Sequence, residues 1–455
     1  MEFALFARSD FLCDSDKSGR VAWAAHATMT FGVHSRRESS VRQTLPPRYG
    51  AARDTTWRNR LMARSANSDL DRLTLHSALQ QLAGSVADAF SAVFLYRQGL
   101  EPAAIYSAMA GILALRFLLR PAVLPVVRRV GLKSTLIVGA ALSALQAALL
   151  APVRGLDVAL VAYVAVTATA GVLYWPSYHA MFALVGDAER RGAQVGLRQL
   201  LIAAAGVVGP AAGGLALAYG GPWLAFGAAG AAQLAAIAPL VGSADRPVER
   251  DAPPGAYRAA LSGALPFAAD GWIFSGAGWA WSLIVFQAFG GRFDAFGGLL
   301  AAAALAGALG GLAFGRAIDA GGAPRAAWIN AVVLAATLAA KALCGEQAIA
   351  VLVVAIGAAL LGGLYNPSLM TAIYNEAKAS PCPLRYHLAL EAAWDVGGAL
   401  ACLAAAAALA WGASLQFVVL LALPLVALQA AGLRASYAAR REATGVAAPT
   451  AAPFR

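Results

Sequence analysis

The sequence predicts an all-α integral membrane protein with twelve transmembrane helices arranged as two six-helix bundles. Hydrophobic residues make up 60% of the 455 residues, charged residues only 13%, and the mean hydropathy is +0.63. Soluble domains carry roughly a quarter charged residues, so this chain needs a bilayer to cover its surface. Two short segments are nearly identical, LYWPS at residues 173–177 and LYNPS at residues 364–368. Such a repeat indicates two related halves, which in membrane proteins is typical of transporters with a site between the halves.

Twelve apolar runs approach the roughly 20 residues that span a bilayer. Each must be helical, because lipid cannot satisfy a free backbone polar group. The predicted spans 1 to 12 are residues 73–96, 102–126, 133–152, 158–184, 195–219, 222–242, 259–289, 294–314, 326–343, 347–374, 386–411 and 413–433.

The spans fall into two bundles of six. Residues 243–258 hold three prolines and six charged residues, and are the predicted cytoplasmic linker between an N-terminal bundle (62–242) and a C-terminal bundle (259–434). Residues 1–61 are polar without a sustained period and end before Met62, so our hypothesis is that they form a disordered, non-native extension. Residues 435–455 are predicted to be a disordered tail.

Basic residues in the loops predict the orientation. Loops on the linker side and the C-terminal tail hold fifteen Arg and Lys residues, against four on the opposite side. Positive charges stay on the cytoplasmic side, so both termini should be cytoplasmic in a multi-pass protein of the cell inner membrane. The same scatter explains the net charge of +11 and excludes nucleic acid as a partner.

The sequence lacks the motifs of soluble enzymes. It contains no Walker-type phosphate loop, HExxH, GxSxG or Rossmann glycine fingerprint, and Cys13, Cys344, Cys382 and Cys402 form no CxxC. We therefore expect no enzymatic activity, no cofactor and no metal site, and energy from an ion gradient or from the gradient of the solute itself.

The organisation resembles the major facilitator superfamily, and two motifs sharpen the resemblance. The segment from Gly315 through Asp319 and Gly322 to Arg325 is similar to the cytoplasmic loop signature Gly-x-x-x-Asp-Arg-x-Gly-Arg-Arg. Span 5 carries a segment similar to the Gly-Pro-x-x-Gly-Gly motif of antiporters, which are mostly exporters. Its residues are Gly209, Pro210, Gly213 and Gly214.

The chain also departs from the family pattern. In the first half Arg128 stands where the loop signature has Asp, and Ala205 replaces the Gly that precedes the span 5 motif. Thr167 stands near the place of the span 4 Arg that proton-coupled members carry, which weakens any borrowed proton mechanism. The resemblance implies a fold and alternating access, and it is silent on substrate.

Acidic residues inside spans are expensive and therefore functional candidates. Asp88 in span 1 and Asp270 in span 7 occupy matching places in the two halves, and Glu391 and Asp395 lie one turn apart in span 11. Buried carboxylates can take up and release protons. Alternatively they form structural ion pairs, for which Arg198 is the favoured partner of Glu391.

Besides Arg198, two arginines and one histidine complete the set of titratable candidates. Arg116 and Arg120 share a face of span 2 and could bind an anionic substrate, or could extend to the interface or pair with Asp88. His179 could titrate near neutral pH or serve as a packing residue. The polar and aromatic cavity candidates are Tyr174, Tyr178, Trp272, Tyr365 and Asn366.

These observations predict a secondary active transporter of a small organic solute, with proton-coupled export as the favoured mode and a monomer as the expected state. The expected partners are the solute, protons and the lipid bilayer. An importer or uniporter of the same fold is the first alternative. A membrane sensor or assembly protein that transports nothing is the second.

Overall fold

A computed structural model describes the backbone of residues 55–185, 191–245, 251, 253–319, 323–362 and 380–444. It also describes their side chains, except those of residues 55–68, 183–200, 259, 312–327, 383 and 436–444. All regular structure in these residues is helical. The helices before the linker are α1 Thr55–Ala87, α2 Ser91–Arg97, α3 Pro102–Leu119, α4 Val123–Val130, α5 Leu132–Leu150, α6 Val158–Val185, α7 Arg191–Leu215, α8 Gly221–Ala235 and α9 Ala238–Val241. Those after it are α10 Leu261–Ala288, α11 Phe293–Asp319, α12 Ala323–Leu343, α13 Ala348–Gly362, α14 Pro383–Ala410, α15 Leu415–Leu420 and α16 Leu423–Thr444.

Where the structure describes it, each predicted span contains one helix or two helices joined by a short break; residues 363–374 of span 10 lie outside the described residues. Within the described residues, eight helical stretches are long and apolar enough to cross a bilayer, and α12 and α13 contain shorter apolar stretches. The helix α10 falls outside this set, since Asp270 and several Gly, Ser and Trp residues lower its mean hydropathy. The protein is therefore a multi-pass membrane protein, and the count of twelve crossings stays a prediction.

The two ends of the chain are more helical than the sequence suggested. Residues 55–61, expected to be disordered, form the first turns of α1, and residues 435–444 of the expected tail continue α16. Residues 1–54 and 445–455 lie outside the described part of the chain.

A proline break shapes the second span at the level of the charged cluster. Arg120–Ala122 forms a 3-10 turn between α3 and α4, with Pro121 at its centre. Proline has no backbone N–H and clashes with the preceding turn, so an α-helix cannot run through it undisturbed. The break leaves Arg116 in the last turn of α3 and Arg120 in the 3-10 turn.

In the described part of the chain, the two halves meet mainly where α3 packs on α14 and α7 on α11, with smaller contacts of α2 with α10 and of α6 with α14. Where α7 meets α11 the backbones touch, because a Cβ atom on Gly214 would lie 2.5 Å from the carbonyl oxygen of Phe293. At the end of the bundle opposite the linker, Gln287 Nε2 donates to the Tyr96 hydroxyl at 2.9 Å. Small residues allow such close approach between helices in lipid.

The linker is anchored at the start of α5. The backbone N–H of Lys133 donates to Asp245 Oδ1 at 2.9 Å, and Lys133 Nζ donates to the Ser243 carbonyl at 2.9 Å. Gly131 precedes α5 with a φ of 91°, a conformation that glycine adopts without strain. The linker residue Asp245 thus supplies the carboxylate at the N-terminus of α5. In the family signature this loop has its own Asp, where this chain has Arg128.

Candidate functional site

One arginine side chain joins two carboxylates of the opposite half. Arg120 Nη1 donates to Glu391 Oε2 at 2.6 Å, and Nη2 donates to Asp395 Oδ2. The two acidic residues lie one turn apart on α14, so the fork of a single guanidinium can reach both. The Arg120 side chain is 5% exposed and the Asp395 side chain is fully buried. Burying these charges is tolerable only because they are paired and hydrogen-bonded.

Arg116 is the second cation of this cluster. Its Nη2 lies 3.1 Å from Asp395 Oδ1, and its guanidinium carbon lies 5.7 Å from the centroid of the Trp394 ring. A guanidinium over an indole face gains a cation–π attraction. With both carboxylates ionised, the four groups Arg116, Arg120, Glu391 and Asp395 carry no net charge.

Two histidines border the cluster on the side of Glu391. His179 Nε2 of α6 lies 4.0 Å from Glu391 Oε1, and the rings of His179 and His387 stack with centroids 6.2 Å apart. The ring of Trp175 also stacks on the ring of His179, with the centroids 5.9 Å apart. The predicted candidate His179 therefore lies beside the acidic pair, and His387 is an addition that the sequence analysis did not single out.

Asp270 extends the polar contacts into α10 and α16. Its Oδ2 accepts from Trp394 Nε1 at 3.2 Å and its Oδ1 accepts from Gln429 Nε2 at 3.1 Å. The helices α10 and α14 approach very closely here, since a Cβ atom on Gly271 would strike the Trp394 carbonyl oxygen. Contacts thus run without interruption from Gln429 through Asp270 and Trp394 to Arg116.

Asp88 belongs to a separate polar group in the first half. It lies in the break between α1 and α2, where its Oδ1 accepts from Gln146 Nε2 of α5 at 2.8 Å. The matching sequence positions of Asp88 and Asp270 do not produce matching described contacts. A glutamine of α5 binds Asp88, whereas a tryptophan of α14 and a glutamine of α16 bind Asp270, in each case within the same half.

The structure adds an arginine contact that the sequence did not predict. The pair of Arg198 and Glu391 stays a prediction, because the side chain of Arg198 lies outside the described residues. Arg120 makes a hydrogen bond to Glu391, and both arginines of span 2 contact Asp395. Spacing along α3 predicted their shared face but not which residues of the distant α14 that face would meet.

The aromatic candidates of span 4 pack around a buried histidine. His76 of α1 makes two contacts, Nδ1 to the Ala236 carbonyl at 2.7 Å and Nε2 to the Tyr174 hydroxyl at 3.1 Å. The carbonyl can only accept, so Nδ1 donates, and in the neutral ring Nε2 accepts from the hydroxyl. The rings of Tyr174 and Tyr178 stack at 5.9 Å, and both are buried.

The remaining predicted residues divide into two groups. Trp272 is half-buried on α10. Gly209, Pro210, Gly213 and Gly214 lie in α7, where they pack on α1, on the break that follows it and on α11. The others lie in parts of the chain for which side chains or backbone are outside the described residues: Arg198, Gly315, Asp319, Gly322, Tyr365 and Asn366.

Sequence comparison adds no family. No protein-family model matches the chain, and no curated protein matches it.

Comparison with solved structures identifies the fold. The chain is similar to the nucleoside transporter NupG (D323A mutant), with a TM-score of 0.59, 11% identity, and coverage of 81% of this chain and 99% of that one. It is similar to the human organic anion transporter MFSD10 (TETRAN), with a TM-score of 0.58, 16% identity, and coverage of 81% and 99%. It is also similar to the POT family transporter PepTSo, with a TM-score of 0.62, 11% identity, and coverage of 83% and 98%. The chain therefore has the major facilitator fold, as predicted.

Proposed function

We propose that this protein is a secondary active transporter that moves a small organic solute by alternating access between its two halves. The observation that carries the proposal is the ion-paired cluster of Arg116, Arg120, Glu391 and Asp395, which both halves build. Charges inside a bilayer are costly and usually mark a transport pathway. The fold is that of proteins described as a nucleoside transporter, an organic anion transporter and a POT family transporter, which supports the same class of activity here.

We propose that protons drive the cycle through Glu391 and Asp395. Both carboxylates hold the α3–α14 contact by binding Arg120, so protonation of either one would weaken the contact between halves. His179 beside Glu391 offers a second titratable group at the same place. Proton arrival and separation of the halves are thereby linked at one set of atoms.

Export against proton entry is the direction we propose first. It rests on the Gly209-Pro210 motif of α7, whose neighbour Gly214 touches the backbone of α11 in the other half. Uptake is the second candidate, and Arg116 favours it. Arg116 could bind an anionic solute, and a proton that enters with the solute would keep the cluster neutral. We place the protein in the inner membrane of a bacterium as a monomer with both termini cytoplasmic.

The test is proton movement in liposomes that contain the purified full-length protein. A panel of organic cations, anions and neutral amphiphiles is added while an internal pH dye is read. The Glu391→Gln and Asp395→Asn variants run beside Asp88→Asn and Asp270→Asn. Asp294→Asn is the matched control, because Asp294 pairs with Arg292 at the surface.

We expect one class of compound to produce a pH change that Glu391→Gln or Asp395→Asn abolishes and Asp294→Asn leaves intact. The sign of the pH change separates export from uptake. Flux of a labelled solute without any pH change would refute proton coupling. If no compound of a broad panel moves in either direction, transport itself is refuted in favour of a sensor or assembly role.

A further inference from the structure

Arg116 and Arg120 are engaged very unequally, although they lie one turn apart. Arg120 donates a hydrogen bond to each of two carboxylates, whereas the described contact of Arg116 with Asp395 is an ion pair at 3.1 Å. Among the described residues, the Nε atoms of both arginines and Asp395 Oδ1 are buried without a hydrogen-bond partner, so the difference between the arginines lies in their Nη atoms. The Arg116 side chain is also the more open of the two, 17% exposed against 5%.

Arg116 lies at the middle of the apolar stretch Pro102–Val130, equally far along the chain from both ends. We therefore place it near the middle of the membrane. Transporters of this architecture bind their solutes near the bilayer midplane, between the two halves. A donor-rich side chain at that depth is well placed to contact a solute.

Two neighbouring residues border the side chain of Arg116. The flat indole of Trp394 lies under the guanidinium, and its N–H is held by Asp270, which fixes the ring. On the α6 side the neighbour is Gly171, and a Cβ atom there would lie 3.6 Å from Arg116 Cδ and Nε. The site therefore combines a cation, an aromatic surface and a wall that lacks a side chain.

We infer that Arg116, Trp394 and Gly171 form the recognition site for a flat organic monoanion, whose carboxylate takes the place of Asp395 on Arg116. This inference rests on the proposed transport function and names the solute class for it. A guanidinium binds a carboxylate through two parallel hydrogen bonds, which the present Arg116–Asp395 contact does not make. A cationic solute would instead meet two arginines.

The exchange also dictates what happens to Asp395. After the anion binds, Asp395 keeps its hydrogen bond from Arg120 but loses Arg116, and the cluster carries one extra negative charge. A proton on Asp395 restores neutrality. The charged groups nearest this carboxylate are Arg116 from α3, Arg120 from the 3-10 turn and Glu391 on its own helix. His179 from α6 lies beside Glu391, and Asp270 from α10 binds the neighbouring Trp394. Anion and proton then bind together.

The test is equilibrium binding of 2-naphthoate to the purified full chain in lipid nanodiscs, by calorimetry. The neutral 2-naphthamide and the cationic 2-naphthylmethylamine are the matched probes. We expect only naphthoate to bind. Arg116→Gln should weaken it by about tenfold or more, since a charged hydrogen-bonded contact is lost. Asp395→Asn should tighten it, because the internal competitor is gone. Gly171→Val should block it, and Arg154→Gln, a loop control, should leave it unchanged.

Proton uptake gives a second readout. Calorimetry in buffers of different ionisation enthalpy should show about one proton taken up per anion, and none in Asp395→Asn. If Arg116→Gln does not fold, Arg116→Lys keeps the charge but loses the two-pronged geometry, and weaker binding is still expected. Preferential binding of the amine, or weaker naphthoate binding in Asp395→Asn, would overturn the inference.

The two proposals fail separately. Binding with this pattern in a protein that moves no solute in liposomes refutes the transport function and leaves the anion site standing. Flux of cations or neutral compounds without naphthoate binding refutes the anion site and leaves transport standing.

Discussion

Arg120 and Asp395 lie 275 positions apart in the chain and form a buried, hydrogen-bonded ion pair between the two halves. The same guanidinium holds Glu391 one turn away on α14 at 2.6 Å. The helices α3 and α14 therefore cannot part at this level without breaking two charge-assisted bonds. In a low-dielectric interior such bonds are stronger than in water, and unpaired charges are correspondingly costly.

The first prediction concerns the loss of this arginine. Arg120→Ala leaves two buried carboxylates with Arg116 as their remaining arginine partner, and breaking a buried pair costs about 3–5 kcal/mol. We expect a clear fall of the melting temperature in detergent. The melting temperature of Arg120→Lys should fall less, because the ammonium group keeps the positive charge but replaces only part of the hydrogen bonds of the guanidinium. The triple variant Arg120→Ala, Glu391→Gln, Asp395→Asn should recover part of the loss. A melting temperature of Arg120→Ala equal to that of the unmodified protein would contradict this account.

The second prediction tests the close approach of α10 and α14 that positions Trp394. Gly271→Ala would drive its Cβ into the Trp394 carbonyl, which is backbone and cannot move aside cheaply. Overpacking of this kind costs about 1–3 kcal/mol or more. Gly278→Ala, two turns along the same helix, is the control, because no described atom lies within 4 Å of its added Cβ. We expect loss of monodisperse protein in gel filtration for Gly271→Ala only. Equal behaviour of the two variants would show that the helices can slide apart.

Much of the fold could be predicted from sequence because membrane helices are specified locally. The apolar runs, the linker and the expensive internal charges are all visible in one chain. Pairing across the halves is not local. Whether Arg120 or Arg198 meets Glu391 depends on how each helix is rotated in the bundle, and no spacing rule encodes that rotation. Arg120 is at the α3–α14 contact partly because Pro121 breaks the helix there.

Neutral partners were the harder part of the site. Trp394, Gln429 and Gln146 hold the carboxylates of Asp270 and Asp88, yet uncharged side chains in apolar helices do not stand out. A glutamine amide in a membrane span nevertheless costs free energy unless it is hydrogen-bonded, so each such glutamine indicates that a polar partner lies nearby. Its position relative to an acidic residue on another helix could not be read from the sequence.

The third prediction is a pH dependence outside the membrane. Asp157 accepts the backbone N–H groups of Arg154 at 2.9 Å and Leu160 at 2.8 Å, just before α6. These hydrogen bonds favour the ionised form and lower the pKa of the Asp157 carboxyl. A carboxyl whose pKa is lowered by folding stabilises the fold above its ordinary pKa of about 3.9, and this contribution is lost as the pH falls through the lowered value.

Asp157→Asn should therefore melt earlier than the unmodified protein at neutral pH, with a difference that shrinks as the pH falls below about 4. Glu101→Gln is the control, because Glu101 also precedes a helix but makes no side-chain capping hydrogen bond in the described structure. Melting curves between neutral and acidic pH decide the matter. A difference for Asp157→Asn that stays constant with pH would mean that the carboxylate charge plays no part in the cap.

The fourth prediction asks whether the α7–α11 contact opens during the cycle. A Cβ atom on Gly214 would lie 2.5 Å from the Phe293 carbonyl oxygen and 3.1 Å from Gly297 Cα, so Gly214→Ala opposes the closed contact directly. Gly298→Ala on α11 is the matched control, with no described atom within 4 Å of the added Cβ. If the halves separate at this end, Gly214→Ala shifts the population towards the separated state.

Tyr96 and Gln287 report on that state, because their side chains meet across the halves at the same end, 2.9 Å apart. Cysteines replace both residues in a background without native cysteines, and a short bifunctional thiol reagent measures how often they meet. Since overpacking costs about 1–3 kcal/mol, crosslinking in Gly214→Ala should slow by about tenfold, and in Gly298→Ala not at all. If Gly214→Ala lowers the melting temperature but crosslinks at the normal rate, this end of the protein stays closed and the halves separate at the linker end alone.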